Sequence, residues 1–435
     1  MGRPGRTGRH WALAAARVLL IAGVALALVT VVTQPAVRYV IYAVWMLPLA
    51  ELALLAAGLA HFRFRFREAR PGRFTKLIIQ VTTLGNEPAR VGEILAQIRS
   101  YGLTMDYEIW VVTEPGYPVH YPLADLVLAV PADFSARSRK KARALEYSRL
   151  TRGQLGLDRD DVKILFNDDD VTLTEGYITK AFAADYDICE GIVTPRTSYA
   201  TWPPWHFLVS HADDIRTHAC LVYCSVFQGV LRHPLHVHGE GLTVTGRAEG
   251  LVTWDWPVTA SEDLVFGHRA AERGLRWGWF YEYVEVTSPW SLRDYLVQRR
   301  RWLWGDIHAI RNRTVVSRRA SFLILGKYVA GLVALFCSVA GWYLRITGRI
   351  PASAGVFDYA KLSVLSWVAV FFACGWIGSG SAISARNDDS RLLAAVLAVV
   401  MAPVSLLLTF AAILIPFAQG NPRSFAVIRK TWAAR

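Results

Sequence analysis

Three consecutive carboxylates, Asp168, Asp169 and Asp170, follow the apolar run 162–166 after a single asparagine. Carboxylate oxygens bind hard divalent cations such as Mg2+ or Mn2+, and such a cation neutralises a substrate diphosphate. If the triplet stays extended, Asp168 and Asp170 point to one side and Asp169 to the other. That gives a D-x-D pair for metal-bridged diphosphate binding. Acidic triplets also occur in solvated loops, so the rest of the chain has to support the site. Ser261-Glu262-Asp263 opens a second candidate stretch, a helix running to Glu272 with Gly274 as its stop. A serine N-cap followed by acids is ordinary capping. The same placement also makes Asp263 a carboxylate able to take a proton from an attacking hydroxyl. Gln298, Arg301 and Trp302 lie three and four residues apart, on one helical face. An Arg and a Trp there can clamp a diphosphate and wall an acceptor, and an amphipathic interfacial helix would carry the same pattern.

The elements that must position these groups alternate. Runs 76–83, 107–113, 126–130 and 162–166 read as strands. Helical spacing appears at 91–98 and 137–150. Alternation predicts a parallel sheet with right-handed crossovers and a ligand site at its carboxyl edge. The first strand is followed by neither a dinucleotide fingerprint nor a Walker-type loop. Glu114 closes the second strand at the same edge as Asp168, where it serves either a ribose or base, or simply a turn. Ser138-Arg139-Lys140-Lys141-Ala142-Arg143 places basic charge at a helix start, against the macrodipole. It reads as a partner for phosphates or lipid head groups, or as a solvated face. Further strands are expected at 187–195 and 242–245, the latter preceded by Gly239-Glu240-Gly241, where backbone approaches something closely. The aromatic stretch 202–206 suits sugar stacking or a membrane interface. Ser291 to Asp294 resembles a capping box and starts a helix over 291–310.

The 435 residues carry a net charge of +13, which suits nucleic acid or an anionic membrane. Apolar runs at 11–32, 37–60, 322–344, 362–383 and 392–418 are each long enough to span a bilayer and decide for membrane lipids over nucleic acid. The organisation is two N-terminal spans (1–62), a soluble domain (63–311), C-terminal spans (320–419) and a basic tail (420–435). Arg3, Arg6 and Arg9, then Arg63, Arg65 and Arg67, then Arg318 and Arg319 put the N-terminus and the domain on the cytoplasmic side. An uncleaved anchor is expected in the first run. Five spans would leave Arg429 and Lys430 outside, so the over-long last run with Pro403 is expected to be broken or re-entrant, or another C-terminal run to lie in the interface. Glu51 falls near the end of a span and is expected to reach the interface. Five scattered cysteines suggest no disulfide framework. His233, His236 and His238 have the spacing of a zinc half-site without a second cluster nearby in sequence, so metal binding is not expected there.

An acidic triplet at a strand end, Glu-Asp at a helix start and Q-x-x-R-W before C-terminal spans form an ordered set. It resembles the membrane-bound inverting glycosyltransferases of family 2, which include cellulose, chitin and hyaluronan synthases. The runs 261–266, 288–292 and 298–305, with 141–145 and 212–216, are similar to the egghead-type β-1,4-mannosyltransferases. The resemblance implies an α/β nucleotide-sugar transferase domain of the GT-A type, a mostly parallel, Rossmann-like sheet inserted between transmembrane helices. It implies Asp168 and Asp170 as ligands of Mg2+ or Mn2+, and Asp263 as catalytic base. Glu114, Lys141, Asp168, Asp169 and Arg301 would bind the donor. Glu262, Gln298, Arg301, Trp302, Gly239 and Glu240 would face the acceptor and diphosphate. GDP-mannose is the favoured donor, with a UDP-sugar as the other, and a lipid-linked or glycan acceptor completes the reaction in an integral membrane protein, at the plasma membrane if bacterial. Competing readings are a processive synthase using a UDP-sugar, polyprenyl-phosphate sugar synthesis, and a non-catalytic scaffold or transporter with a degenerate transferase domain.

Overall fold

A computed structural model describes residues 35–116, 120–195, 204–351, 358–381 and 390–422. The first apolar run, 11–32, the first two residues of the aromatic stretch 202–206 and nearly all of the basic tail lie outside these.

Among the described residues eight strands form one sheet: β1 Lys76–Thr83, β2 Tyr107–Thr113, β3 Leu126–Ala129, β4 Val162–Asp168, β5 Val171–Leu173, β6 Ile188–Pro195, β7 Thr243–Thr245 and β8 Trp277–Val286. Their spatial order is β3-β2-β1-β4-β7-β6-β8-β5. The half from β3 to β4 is parallel. Beyond it β7 runs antiparallel to both β4 and β6, and β5 runs antiparallel to β8. The expected parallel sheet therefore holds for the β3 to β4 half, and the other half is mixed. Alternation of side chains sorts β1 between two cores. Leu77, Ile79 and Val81 pack with Ile109, Val111 and Leu165 beneath helices Pro88–Ser100 and Glu175–Ala183. Ile78, with Trp110, Ile164 and Phe166, faces helices Lys141–Gln154 and Glu262–Glu272. A buried ion pair ties this second layer together: Arg152 Nη2 lies 2.5 Å from Glu249 Oε1, which also accepts from Trp254 Nε1 at 2.8 Å.

Among the described residues four helices are long and apolar enough to cross a membrane: Arg38–Arg65, Arg318–Ile346, Tyr359–Gly378 and Arg391–Gln419. The last is one continuous helix with Pro403 and Pro416 inside it, not a broken or re-entrant run. Close to Pro403, Ser405 Oγ donates to the His211 carbonyl at 2.7 Å and so ties this helix to the domain. Helix Leu292–Arg311 joins the domain to this span. On its outer side Arg300 Nε donates to the Gly420 carbonyl at 2.8 Å and Trp304 Nε1 to that of Pro416 at 3.2 Å. Glu51 does not turn to an interface. It accepts a hydrogen bond from the Tyr223 hydroxyl and lies 3.4 Å from His218 Nε2, both on the domain.

Candidate active site

Strand register brings the acids to one rim. Thr82 of β1 pairs with Asp168, and Thr83 pairs with Thr113, the residue before Glu114. Because β7 is antiparallel to β4, the loop entering β7 reaches the same rim. Gly241 N donates to the Phe166 carbonyl at 2.9 Å. Helices Lys141–Gln154 and Glu262–Glu272 begin there too. Lys140 (φ 58°) and Ser261 (φ 60°), the residues just before them, are both left-handed non-glycines. Such conformations cost energy and cluster at functional sites. Ser261 is consequently not the expected cap: its side chain caps nothing in the helix, and its hydroxyl donates to the Trp302 carbonyl at 3.4 Å. Gly305 permits this approach, since a β-carbon there would stand 2.5 Å from Ser261 Oγ.

The triplet is not extended throughout: Asp168 ends β4, and Asp169 and Asp170 form the turn into β5. Asp168 Oδ1 meets Lys141 Nζ at 2.5 Å. Asp169 Oδ2 accepts from Thr83 Oγ1 at 2.6 Å. Asp170 is 7 % exposed, and its carbonyl accepts from Thr287 Oγ1 at 3.1 Å. All three line one cavity of about 1650 Å³. An all-oxygen donor set of this kind fits a hard divalent cation, and Lys141 supplies a fixed positive charge beside it. Glu114 opens on the same cavity; Arg143 Nη2 holds its Oε2 at 2.6 Å, while the buried Oε1 has no partner among the described residues. That oxygen is set to accept a ligand donor.

Asp263 faces the cavity from the start of its helix, its Oδ1 accepting from the Leu264 N–H at 2.8 Å. Burial, then the neighbouring carboxylates Glu262 and Glu240, raise its pKa to about 8, against the pull of Lys141. Gly239 (φ +68°) lies against it. Glu240 pairs with Arg216 Nη2 at 2.9 Å. Arg301 lies within electrostatic reach of Glu262, Asp168, Glu240 and Asp263. Gln298, also in the cavity wall, is buried with Oε1 unpartnered among the described residues. The Trp302 ring carries the guanidinium of Arg299 at 4.4 Å on one side and that of Arg216 at 5.5 Å on another. Arg299 in turn bonds Asp213 Oδ1 at 2.6 Å. Every site residue that the resemblance implies lines the cavity except Gly239, which lies against Asp263.

Arg216, Asp213 and Arg299 brace the Trp302 side of the cavity; the runs 212–216 and 298–305 that contain them carry the family resemblance, but their spacing alone does not announce this network. Of the three histidines His233 stands apart, while the rings of His236 and His238 meet edge to face at 4.5 Å. His233 packs on His268, and His238 also meets Cys220 and Cys224. The cavity continues from the acids between the apolar helices, past Leu47, Leu54, Leu335, Trp342, Val364 and Phe410.

Residues 163–415 match the pattern of glycosyl transferase family group 2. The chain is 24% identical over 369 residues to a β-1,4-mannosyltransferase (egh) of Drosophila melanogaster, covering 81% of this chain and 78% of that protein. In fold it is similar to the mannosyltransferase PcManGT of Pyrobaculum calidifontis, solved with GDP-Man and Mn2+, with a TM-score of 0.41, 15% identity, and coverage of 82% of this chain and 98% of that one. The family match over 163–415 takes in β4 with its acids, Asp263, the Gln298–Trp302 face and three of the apolar helices. This chain belongs to glycosyl transferase family group 2, a mannosyltransferase-like glycosyltransferase with a GT-A-type domain flanked by membrane helices.

Proposed function

We propose that the protein transfers mannose from GDP-mannose, with inversion and in β-1,4 linkage, to a hydroxyl of a lipid-linked acceptor at the cytoplasmic membrane face. The observation that carries this reading is the continuity of one cavity from Asp168 and Asp263 to the apolar faces of the spans. A sugar head at the acids and a lipid tail between the helices fit that shape. Similarity to a β-1,4-mannosyltransferase supports the sugar and linkage, and the arginines at Arg63, Arg65, Arg318 and Arg319 support the cytoplasmic side.

In this mechanism Glu114 accepts from the nucleoside, while Lys141 and Arg301 face the diphosphate. Mg2+ or Mn2+, which Asp168 and Asp170 would hold, neutralises charge on the leaving nucleoside diphosphate when bound. The acceptor oxygen attacks the anomeric carbon from the side opposite the phosphate. The carbon–oxygen bond to phosphate breaks and the diphosphate leaves with its electron pair. Asp263 takes the acceptor proton as the new bond forms. Gln298, Trp302 and Glu240 wall the acceptor side.

The test is a panel of radiolabelled GDP- and UDP-sugars given to membranes containing the full chain, followed by lipid extraction. The reading expects lipid-soluble label from GDP-mannose with one added sugar. Label from a UDP-sugar would overturn the donor assignment, and a polymer ladder would favour a processive synthase.

A further inference from the structure

Behind the acceptor wall lies a cluster that the transfer reaction does not use. The helical segment entered at Ile215 switches to a π turn over Cys220–Cys224. π turns within helices are rare and recur at functional sites. This one aims Cys220 and Cys224 at His238, which lies 18 and 14 residues further on. Cys220 Sγ lies 3.0 Å and Cys224 Sγ 3.8 Å from His238 Nε2, and the three ligand atoms all fall within 4.8 Å of one another. All three residues are buried.

We propose that Cys220, Cys224 and His238 bind a soft divalent cation of the zinc class. Zinc takes thiolate sulfur at roughly 2.3 Å and imidazole nitrogen at roughly 2.0–2.1 Å, which places tetrahedral ligand atoms about 3.5–3.8 Å apart. The cluster is already close to that spacing and needs an adjustment of about half an ångström at Cys220. Charge balances in the buried site: the cation displaces two thiol protons and the two thiolates neutralise it. The surroundings suit the bound form. The Val193 N–H donates to Cys220 Sγ at 3.4 Å. Glu190 Oε1 accepts from the His238 backbone N–H at 3.2 Å, and Gln228 holds its other oxygen at 3.2 Å, so the histidine backbone is fixed. Such outer contacts orient metal ligands. Access comes from the cavity, which His236 and His238 line.

The site differs in chemistry from the carboxylate rim. Sulfur and nitrogen select zinc, and oxygen selects Mg2+ or Mn2+. Its effect would still reach the reaction. His238 precedes Gly239 and Glu240, so a cation at His238 would tether the strap that abuts Asp263.

The test uses the reduced, full-length protein purified in detergent, stripped with chelator and titrated with Co2+ as a spectroscopic probe. The expected result is about one cobalt per chain with thiolate-to-cobalt absorption and tetrahedral d–d bands, displaced by Zn2+. Cys220→Ser and Cys224→Ser should each abolish the thiolate band, while the Asp168→Asn/Asp170→Asn double variant keeps it. Zinc should also raise the melting temperature of the wild type in the presence of excess Mg2+. Because the cobalt spectrum is read on the wild type, a variant that fails to fold leaves the test intact. No thiolate-to-cobalt band in the wild type, or a band unchanged in both serine variants, overturns the proposal.

Discussion

Gly239 leaves no room for a side chain next to Asp263: a β-carbon built on it would stand 2.7 Å from Asp263 Oδ2. Its φ of +68° excludes most other residues as well. The strap 238–241 and the candidate base are therefore fitted to each other. Gly239→Ala should displace the carboxylate or the strap. A misplacement on the order of 1 Å costs about 100-fold in rate. Steady-state transfer assays are expected to show that loss in kcat, with nucleotide binding measured by calorimetry largely retained.

The raised pKa of Asp263, about 8 from burial and from Glu262 and Glu240, sets a pH dependence. A general base works only when ionised, so kcat/KM should climb with pH and level off above about 8. Glu262→Gln removes the largest of the carboxylate repulsions and should move that rise to lower pH. A pH–rate profile of both proteins checks the shift; no movement would assign the ionisation to another group.

The same ionisation bears on stability. The folded pKa of Asp263 is raised above its ordinary value of 3.8, so the folded state holds a proton that the unfolded chain releases. Any stability tied to that proton is complete below about pH 4 and is lost as pH rises to about 8. Asp263→Asn removes the buried charge. Its melting temperature should exceed that of the wild type by a margin that grows across this window and is constant above it.

Arg152 is 1% exposed and paired with Glu249 away from the cavity. Removing one partner of a buried ion pair leaves a charge uncompensated, at a cost of roughly 3–5 kcal/mol. Arg152→Ala should lower stability by that order in denaturant or thermal unfolding. Membranes holding the folded fraction should keep donor affinity.

Much of this arrangement is legible from local pattern. β1 spans the apolar run 76–83, and β4 carries the run 162–166 into its acids. Gln298, Arg301 and Trp302 do share a cavity-facing side of their helix, because i, i+3, i+4 spacing survives any tertiary context. What escapes is set by partners distant in sequence. β7 has only three residues, and its antiparallel direction depends on β4 and β6. Ser261 has the type and position of a cap, yet packing against Trp302 and Gly305 twists it into a left-handed conformation. The helix after Ser138 starts only at Lys141, behind the strained Lys140. Cys220 and Cys224 meet His238 because of a π turn that no periodicity announces.

In the proposed reaction Asp263 receives the acceptor proton in a site where Asp168, Lys141 and Arg301 bind the donor. Single-turnover transfer from radiolabelled GDP-mannose to extracted lipid, by the wild type and by Asp263→Asn in the same membranes, tests it most directly. The variant should show no transfer above background, with donor binding unchanged. Transfer by Asp263→Asn at the wild-type rate would contradict it.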